Sequence, residues 1–135
     1  MRSNFRFHHI GIAVKSIAET ATVYELMGGV TSDVVFDSHQ NVSICWITCD
    51  GMPTIELLEP VDDKSPVNKI LEKNGVTPYH ICYEVDDLDL SIMTLRKHKY
   101  VIVSRPAEAP AISNHRVAFL FHKDMGLIEL VEIPR

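Results

Sequence analysis

No apolar run in this sequence approaches the roughly 18–20 residues that a membrane-spanning helix needs. The first residues include Arg2 and Arg6, but no apolar stretch long enough for a secretory leader follows them, so a cytoplasmic location is expected. Positive charge is also short. Lys and Arg together number 13 against 18 Asp and Glu, a formal net charge of -5, so the molecule as a whole does not invite nucleic acid or an anionic membrane. Cysteines number three, an odd count that argues against a disulfide framework. Cys45 and Cys49 fall on one strand-like stretch, about 13 Å apart at ~3.3 Å per residue, too far to pair without leaving it. All three are expected to be buried free thiols.

What is present suffices for a core. Hydrophobic residues make up 46% and charged residues 23% of 135 residues, enough for one compact domain or two very small modules.

The chain repeats itself. His9-Ile10-Gly11-Ile12-Ala13-Val14 is echoed by His80-Ile81-Cys82-Tyr83-Glu84-Val85, and Ile55-Glu56-Leu57-Leu58-Glu59 by Ile128-Glu129-Leu130-Val131-Glu132. The first histidine precedes its glutamate by 47 residues and the second by 49. One such pairing arises easily by chance, whereas two in register indicate duplication.

Local signals agree. Residues 7–14 alternate as a strand, after which Ser16 caps a helix with Glu19 three residues on, and Gly28-Gly29 stops it near Met27. Strands are expected near 30–37, 41–49 and 53–59, punctuated by Asn41 and Asp50-Gly51. The second half repeats a strand at 79–85, a helix from about Asp87 to His98, and strands near 100–104, 115–122 and 127–133. Between the halves, Ser65-Pro66 reads as a cap and first residue of a linker helix over about 65–74, with Gly75 beyond its end. The expected fold is therefore α+β within a single domain, 1–135. It pairs two βαβββ modules, about 5–61 and about 77–135, into a curved eight-stranded mixed sheet around a cup.

Strand alternation places Ile10, Ile12 and Val14 on one face and His9, Gly11 and Ala13 on the other. The branched face suits a covering helix, and the opposite face leaves room beside a histidine. Glu56 and Glu129 each sit between apolar residues, an expensive setting for a carboxylate unless it is paired or bound to a cation. Alone, a histidine opening a strand is ordinarily a hydrogen-bonded structural residue, and a strand glutamate ordinarily faces water. The duplication reverses that judgement for four residues only. Glu59, Glu84 and Glu132 are expected to point outward, and His8 to face away from His9. His39, His98, His115 and His122 receive no role. If the modules pair with approximate two-fold symmetry, His9, Glu56, His80 and Glu129 converge on one divalent cation. Two imidazoles and two carboxylates suit Zn, Mn, Co, Ni or Fe.

These residues and spacings resemble the vicinal oxygen chelate superfamily, which includes glyoxalase I, extradiol dioxygenases and bleomycin-resistance proteins, and within it the methylmalonyl-CoA epimerases. The carrying segments are His9–Val14, Glu56–Pro60 with Ser65-Pro66, His80–Cys82 with Glu84–Asp87, and Leu127–Leu130. The resemblance spans about Phe7 to Glu132. It implies a metal held by His9, Glu56, His80 and Glu129, with Glu129 also the catalytic base, a homodimer, and an acyl-CoA or thiol-adduct substrate. Abstraction of a proton next to a metal-polarised carbonyl would follow, with Glu56 serving the opposite face of the carbon. Departures from the epimerases fall where substrate would lie. Tyr79 replaces the first of two histidines, 107–115 lacks a glycine-rich turn, Phe121-His122-Lys123 replaces His-Pro-Lys, and Ser43 stands where some epimerases carry a carboxylate. Lys97, Lys99, Arg105, Arg116 and Lys123 are the cations available for an anionic CoA ester. The alternatives are a glyoxalase I-like lyase, a related metalloenzyme acting on another small acid, and a non-catalytic antibiotic-binding resistance protein. The complete metal set speaks against the last.

Overall fold

Branched apolar residues at alternate positions set the opening strand, β1 (Arg6–Ala13), and the same logic governs most strands that follow in this computed structural model, which describes residues 4–135. The other elements are α1 (Ile17–Leu26), β2 (Val30–Thr31), β3 (Val35–Asp37), β4 (Val42–Thr48), β5 (Ile55–Pro60), α2 (Val67–Asn74), β6 (Thr77–Val85), α3 (Leu88–Arg96), β7 (Val101–Ala109), β8 (His115–His122) and β9 (Gly126–Glu132). The fold is α+β with mixed strand pairing. The chain divides into two compact units, His9–Tyr79 and a second that joins His80–Arg135 to the chain before His9.

In the unit His9–Tyr79, β1 runs parallel to β5, β5 antiparallel to β4, and β4 carries β2 and β3 at its outer edge. Eight strands were expected overall and nine are found among the described residues, because 30–37 is broken. Val30–Thr31 and Val35–Asp37 pair with opposite ends of β4, and between them Ser32 bonds Trp46 of β4 partly through its side-chain hydroxyl, which interrupts the regular ladder. α1 covers one sheet face with Ile17 and Ala21, packed on Ile12, Val14, Cys45, Ile47, Ile55 and Leu57. Ser16 caps it as expected, its side chain accepting from the Glu19 amide at 3.2 Å. At the far end, Gly28 (φ +89°) donates to the Glu25 carbonyl and Gly29 to the Tyr24 carbonyl, closing the helix with a left-handed turn. A Cβ on Gly29 would lie 2.9 Å from the Tyr24 carbonyl oxygen, so the chain needs glycine there.

In the second unit, β6 runs parallel to β9, β9 antiparallel to β8, and β8 antiparallel to β7. α3 covers Val85, Ala118, Leu120, Ile128 and Leu130 with Leu88 and Ile92. Asp87 caps α3 through a 3.0 Å bond from the Leu90 amide. β7 extends well past residue 104, where the sequence suggested it would end. It is an edge strand, which lets Pro106 and two register irregularities pass without costing interior ladder bonds. The turn that follows has no glycine, yet Ser113 (φ 50°) and Asn114 (φ 61°) both take the left-handed conformation.

Three further expectations are corrected. Ser65 does not cap α2. Pro66 occupies the cap position, no side chain bonds there, and Ser65 is buried. Cys45 and Cys82 are buried thiols, but Cys49 is only half-buried, because it lies at the end of β4 next to the exposed turn at Asp50. Glu84 does not face solvent. Arg6 Nε bonds its carboxylate at 3.0 Å and Arg135 at 2.9 Å, so both arginines are tied to β6. Burial by itself would raise the Glu84 pKa, but the hydrogen bonds from Arg6 and Arg135 outweigh it and hold the carboxyl below its ordinary value of 4.5. A depressed folded-state pKa contributes stability that is complete above the ordinary carboxylate range and disappears as pH falls through the folded value. Glu84→Gln should therefore lower the thermal midpoint at neutral pH, and the gap to wild type should close as pH falls below the ordinary carboxylate value of 4.5. A gap independent of pH would refute the linkage.

Candidate active site

Each unit buries one histidine beside one glutamate on the sheet face away from its helix. In the unit His9–Tyr79, Gly11 lies opposite Glu56 in the β1–β5 ladder, which brings the side chain of His9 to that of Glu56. His9 Nε2 lies 3.2 Å from Glu56 Oε1, and the two residues are 0% and 2% exposed. In the second unit, Cys82 lies opposite Glu129 in the β6–β9 ladder. His80 Nε2 is 3.3 Å from Glu129 Oε1, and these residues are 3% and 1% exposed. The structure thus joins His9 to Glu56 and His80 to Glu129 in the same arrangement. Both are built from a parallel strand pair, with a small residue two positions after the histidine facing the glutamate.

The chemistry of this arrangement is specific. A carboxylate removed from water stays charged only against a cation or strong hydrogen-bond donors, and otherwise takes up a proton. An imidazole nitrogen facing a carboxylate oxygen at this separation can share a proton with it. Equally, two donors bound to one cation at about 2.1 Å stand roughly 3.0–3.4 Å apart for octahedral or tetrahedral angles. Both pairs fall inside that interval, so each presents two donor atoms spaced for a common cation.

Two aromatic residues that the sequence did not single out complete each pair. Trp46 on β4 lies across the ladder from Glu56, and its ring meets the His9 imidazole edge to face, with centroids 4.9 Å apart. Phe119 on β8 lies across from Glu129 and meets the His80 imidazole in the same way at 5.2 Å. The signal was in the repeat. Trp46 and Phe119 stand as far apart in sequence as Glu56 and Glu129.

Glu59 and Glu132, expected to point outward, instead turn toward the helices. Glu59 Oε1 accepts from the Ile17 amide at 2.7 Å and Glu132 Oε2 from the Leu88 amide at 2.8 Å. Each satisfies an otherwise unpaired donor at a helix start, where negative charge is also favoured by the helix dipole. The strand that carries the site glutamate is thereby anchored three residues later to the helix behind it. Arg116, named among the cations for an anionic substrate, is already committed. It bridges Glu132 and Asp89, and these partners, Glu132 first, hold its pKa above the usual guanidinium value. Lys97, Lys99, Arg105 and Lys123 are exposed.

Comparison with known proteins places these features in a family. The Glyoxalase/Bleomycin resistance protein/Dioxygenase superfamily profile matches residues 8–119. Mitochondrial methylmalonyl-CoA epimerase of Mus musculus is 33% identical over 129 residues, covering 93% of this chain and 71% of that protein. The crystal structure of methylmalonyl-CoA epimerase from Mycobacterium tuberculosis superposes with a TM-score of 0.86 at 28% identity, covering 100% of this chain and 92% of that one. A Streptomyces coelicolor methylmalonyl-CoA epimerase in complex with 2-nitronate-propionyl-CoA superposes at 0.82 with 29% identity, over 96% of this chain and 98% of that one.

Proposed function

Because this chain belongs to the glyoxalase/bleomycin resistance protein/dioxygenase superfamily, we propose that it is a metal-dependent epimerase acting on a methylmalonyl-type acyl-CoA. The observation that carries the reading is the buried histidine–glutamate pair repeated in both units, taken with relatives named for that activity. We extend the proposal to one divalent cation (Zn, Co, Ni, Mn or Fe) held jointly by His9, Glu56, His80 and Glu129. The donor set fits. It is all nitrogen and oxygen, buried, with both intra-unit spacings in the range that two ligands of one cation adopt. The cation supplies Lewis-acid polarisation of the thioester carbonyl, which acidifies the neighbouring C–H.

The protein's own groups then move the proton. Glu129, held between apolar residues on β9, takes the proton from C2 as the C–H bond breaks. Glu56, contributed by the other unit, enters protonated and delivers that proton to the opposite face of the planar carbon, so the configuration inverts and the two carboxyl groups end with exchanged protonation states. His9 and His80 keep the two carboxylates in register, while the near-complete burial of all four limits competing water. A homodimer and a cytoplasmic location belong to the same proposal. No helix among the described residues is long and apolar enough to cross a membrane.

Incubation in D2O separates this reading from its rivals. Loss of the 2-H of methylmalonyl-CoA, followed by proton NMR, should be catalysed, while a methylglyoxal–thiol adduct should not turn over. Turnover of the adduct alone would assign a glyoxalase-like lyase. Inertness toward both would leave a related enzyme of another acid or a binding protein.

A further inference from the structure

In both units a flat ring stands against the imidazole of the buried pair, and its position follows from strand register. Trp46 is the cross-strand partner of Glu56, and Phe119 that of Glu129. Directly opposed residues share a sheet face, so aromatic ring, carboxylate and imidazole are gathered on one side of each sheet. The interplanar angles are 79° for His9 with Trp46 and 89° for His80 with Phe119, both edge to face. The two aromatic residues differ in size, and only tryptophan carries a ring donor, yet the geometry is preserved. What the position requires is an aromatic ring. A specific hydrogen bond does not account for both.

Rotation about the bond to the imidazole is the softest freedom a histidine keeps once its strand is fixed, because that torsion is broad. A few tens of degrees would carry Nε2 away from the glutamate oxygen. An aromatic ring packed edge to face against the imidazole resists that rotation, since such pairs prefer this orientation. We infer that Trp46 and Phe119 are positioning residues that fix the imidazole planes of His9 and His80 for cation binding. The inference rests on the metal reading above.

Trp46 makes a direct test convenient, being the single tryptophan in the chain and 4.9 Å from the His9 ring. Metal-free protein titrated with Co(II) gives three readouts, namely the dissociation constant by calorimetry, quenching of Trp46 fluorescence, and the visible ligand-field bands of the bound ion. Trp46→Leu should weaken Co(II) binding about tenfold and alter the bands, as loss of groups that orient metal ligands does. Trp46→Phe, which installs the ring the other unit uses, should restore both the bands and an affinity within about threefold of wild type. Phe119→Leu should weaken binding comparably, with the fluorescence readout intact. Trp46 is only half-buried, so its variants should fold, and thermal midpoints of the metal-free forms check this. Wild-type affinity and bands in Trp46→Leu would overturn the positioning role and leave the metal site standing. Equal weakening in Trp46→Leu and Trp46→Phe would also overturn it. Failure of the wild type to bind Co(II) at all would overturn the metal site, and this inference with it.

Discussion

Glu129→Gln should abolish catalysed exchange at C2 of methylmalonyl-CoA, lowering the rate by about 10²- to 10⁴-fold, the usual contribution of a positioned general base. The amide keeps the size and one oxygen donor of the carboxylate but cannot accept the C2 proton. Metal content should therefore remain near that of wild type, and the loss should appear in kcat more than in KM. The site favours this separation of effects. Glu129 is 1% exposed between Ile128 and Leu130, and Phe119 lies across from it in the ladder, so a shape-conserving replacement disturbs little packing. Glu56→Gln should impair exchange less, because it would block return of the proton on one face while abstraction on the other continues. Wild-type exchange in Glu129→Gln would remove this residue from the chemistry.

The second large effect concerns stoichiometry. Chelation should reduce turnover to background, and Co(II) or Mn(II) should restore it. Elemental analysis of the restored protein should find one cation per chain. Each buried pair supplies one imidazole and one carboxylate, a weak two-donor site alone, so the proposal needs both pairs for tight binding. His9→Ala and His80→Ala should each lower affinity by more than about a hundredfold, since even groups that merely orient ligands are worth about 10- to 100-fold. Two cations per chain, or a half-loaded protein after either substitution, would show that the pairs act independently.

Much of this was legible in the residues. Ser16 and Asp87 mark helix starts through the local chemistry of a cap, and Gly28-Gly29 marks a helix end because only a left-handed backbone closes it. Strand period alone placed Ile12 and Val14 against the helix and His9 away from it, and the structure agrees. The same period misled where it was not applied. Glu59 shares the face of Ile55 and Leu57, the face that α1 covers, so its carboxylate reaches the Ile17 amide. Glu132 bears the same relation to Ile128 and Leu130 and reaches Leu88. Counting positions from Glu56 and Glu129 would have separated site glutamates from capping ones. The break within 30–37 had no comparable signal, because it depends on how each piece pairs with β4.

The sequence determined which residues repeat, which face of each strand is apolar, and hence that two histidines and two glutamates occupy matching places. These are properties of spacing, and spacing is local. Only the tertiary structure decided that Trp46 and Phe119 lie against the imidazoles, that Arg6 and Arg135 meet at Glu84, and that Arg116 is committed to Glu132 and Asp89. The ring contacts depend on which rung of one strand faces which rung of the next, and the ion pairs also on where α3 and the residues after β9 meet the strands. Register is set by hydrogen bonding and packing between distant segments, and a shift of one residue would have turned Trp46 and Phe119 to the other face.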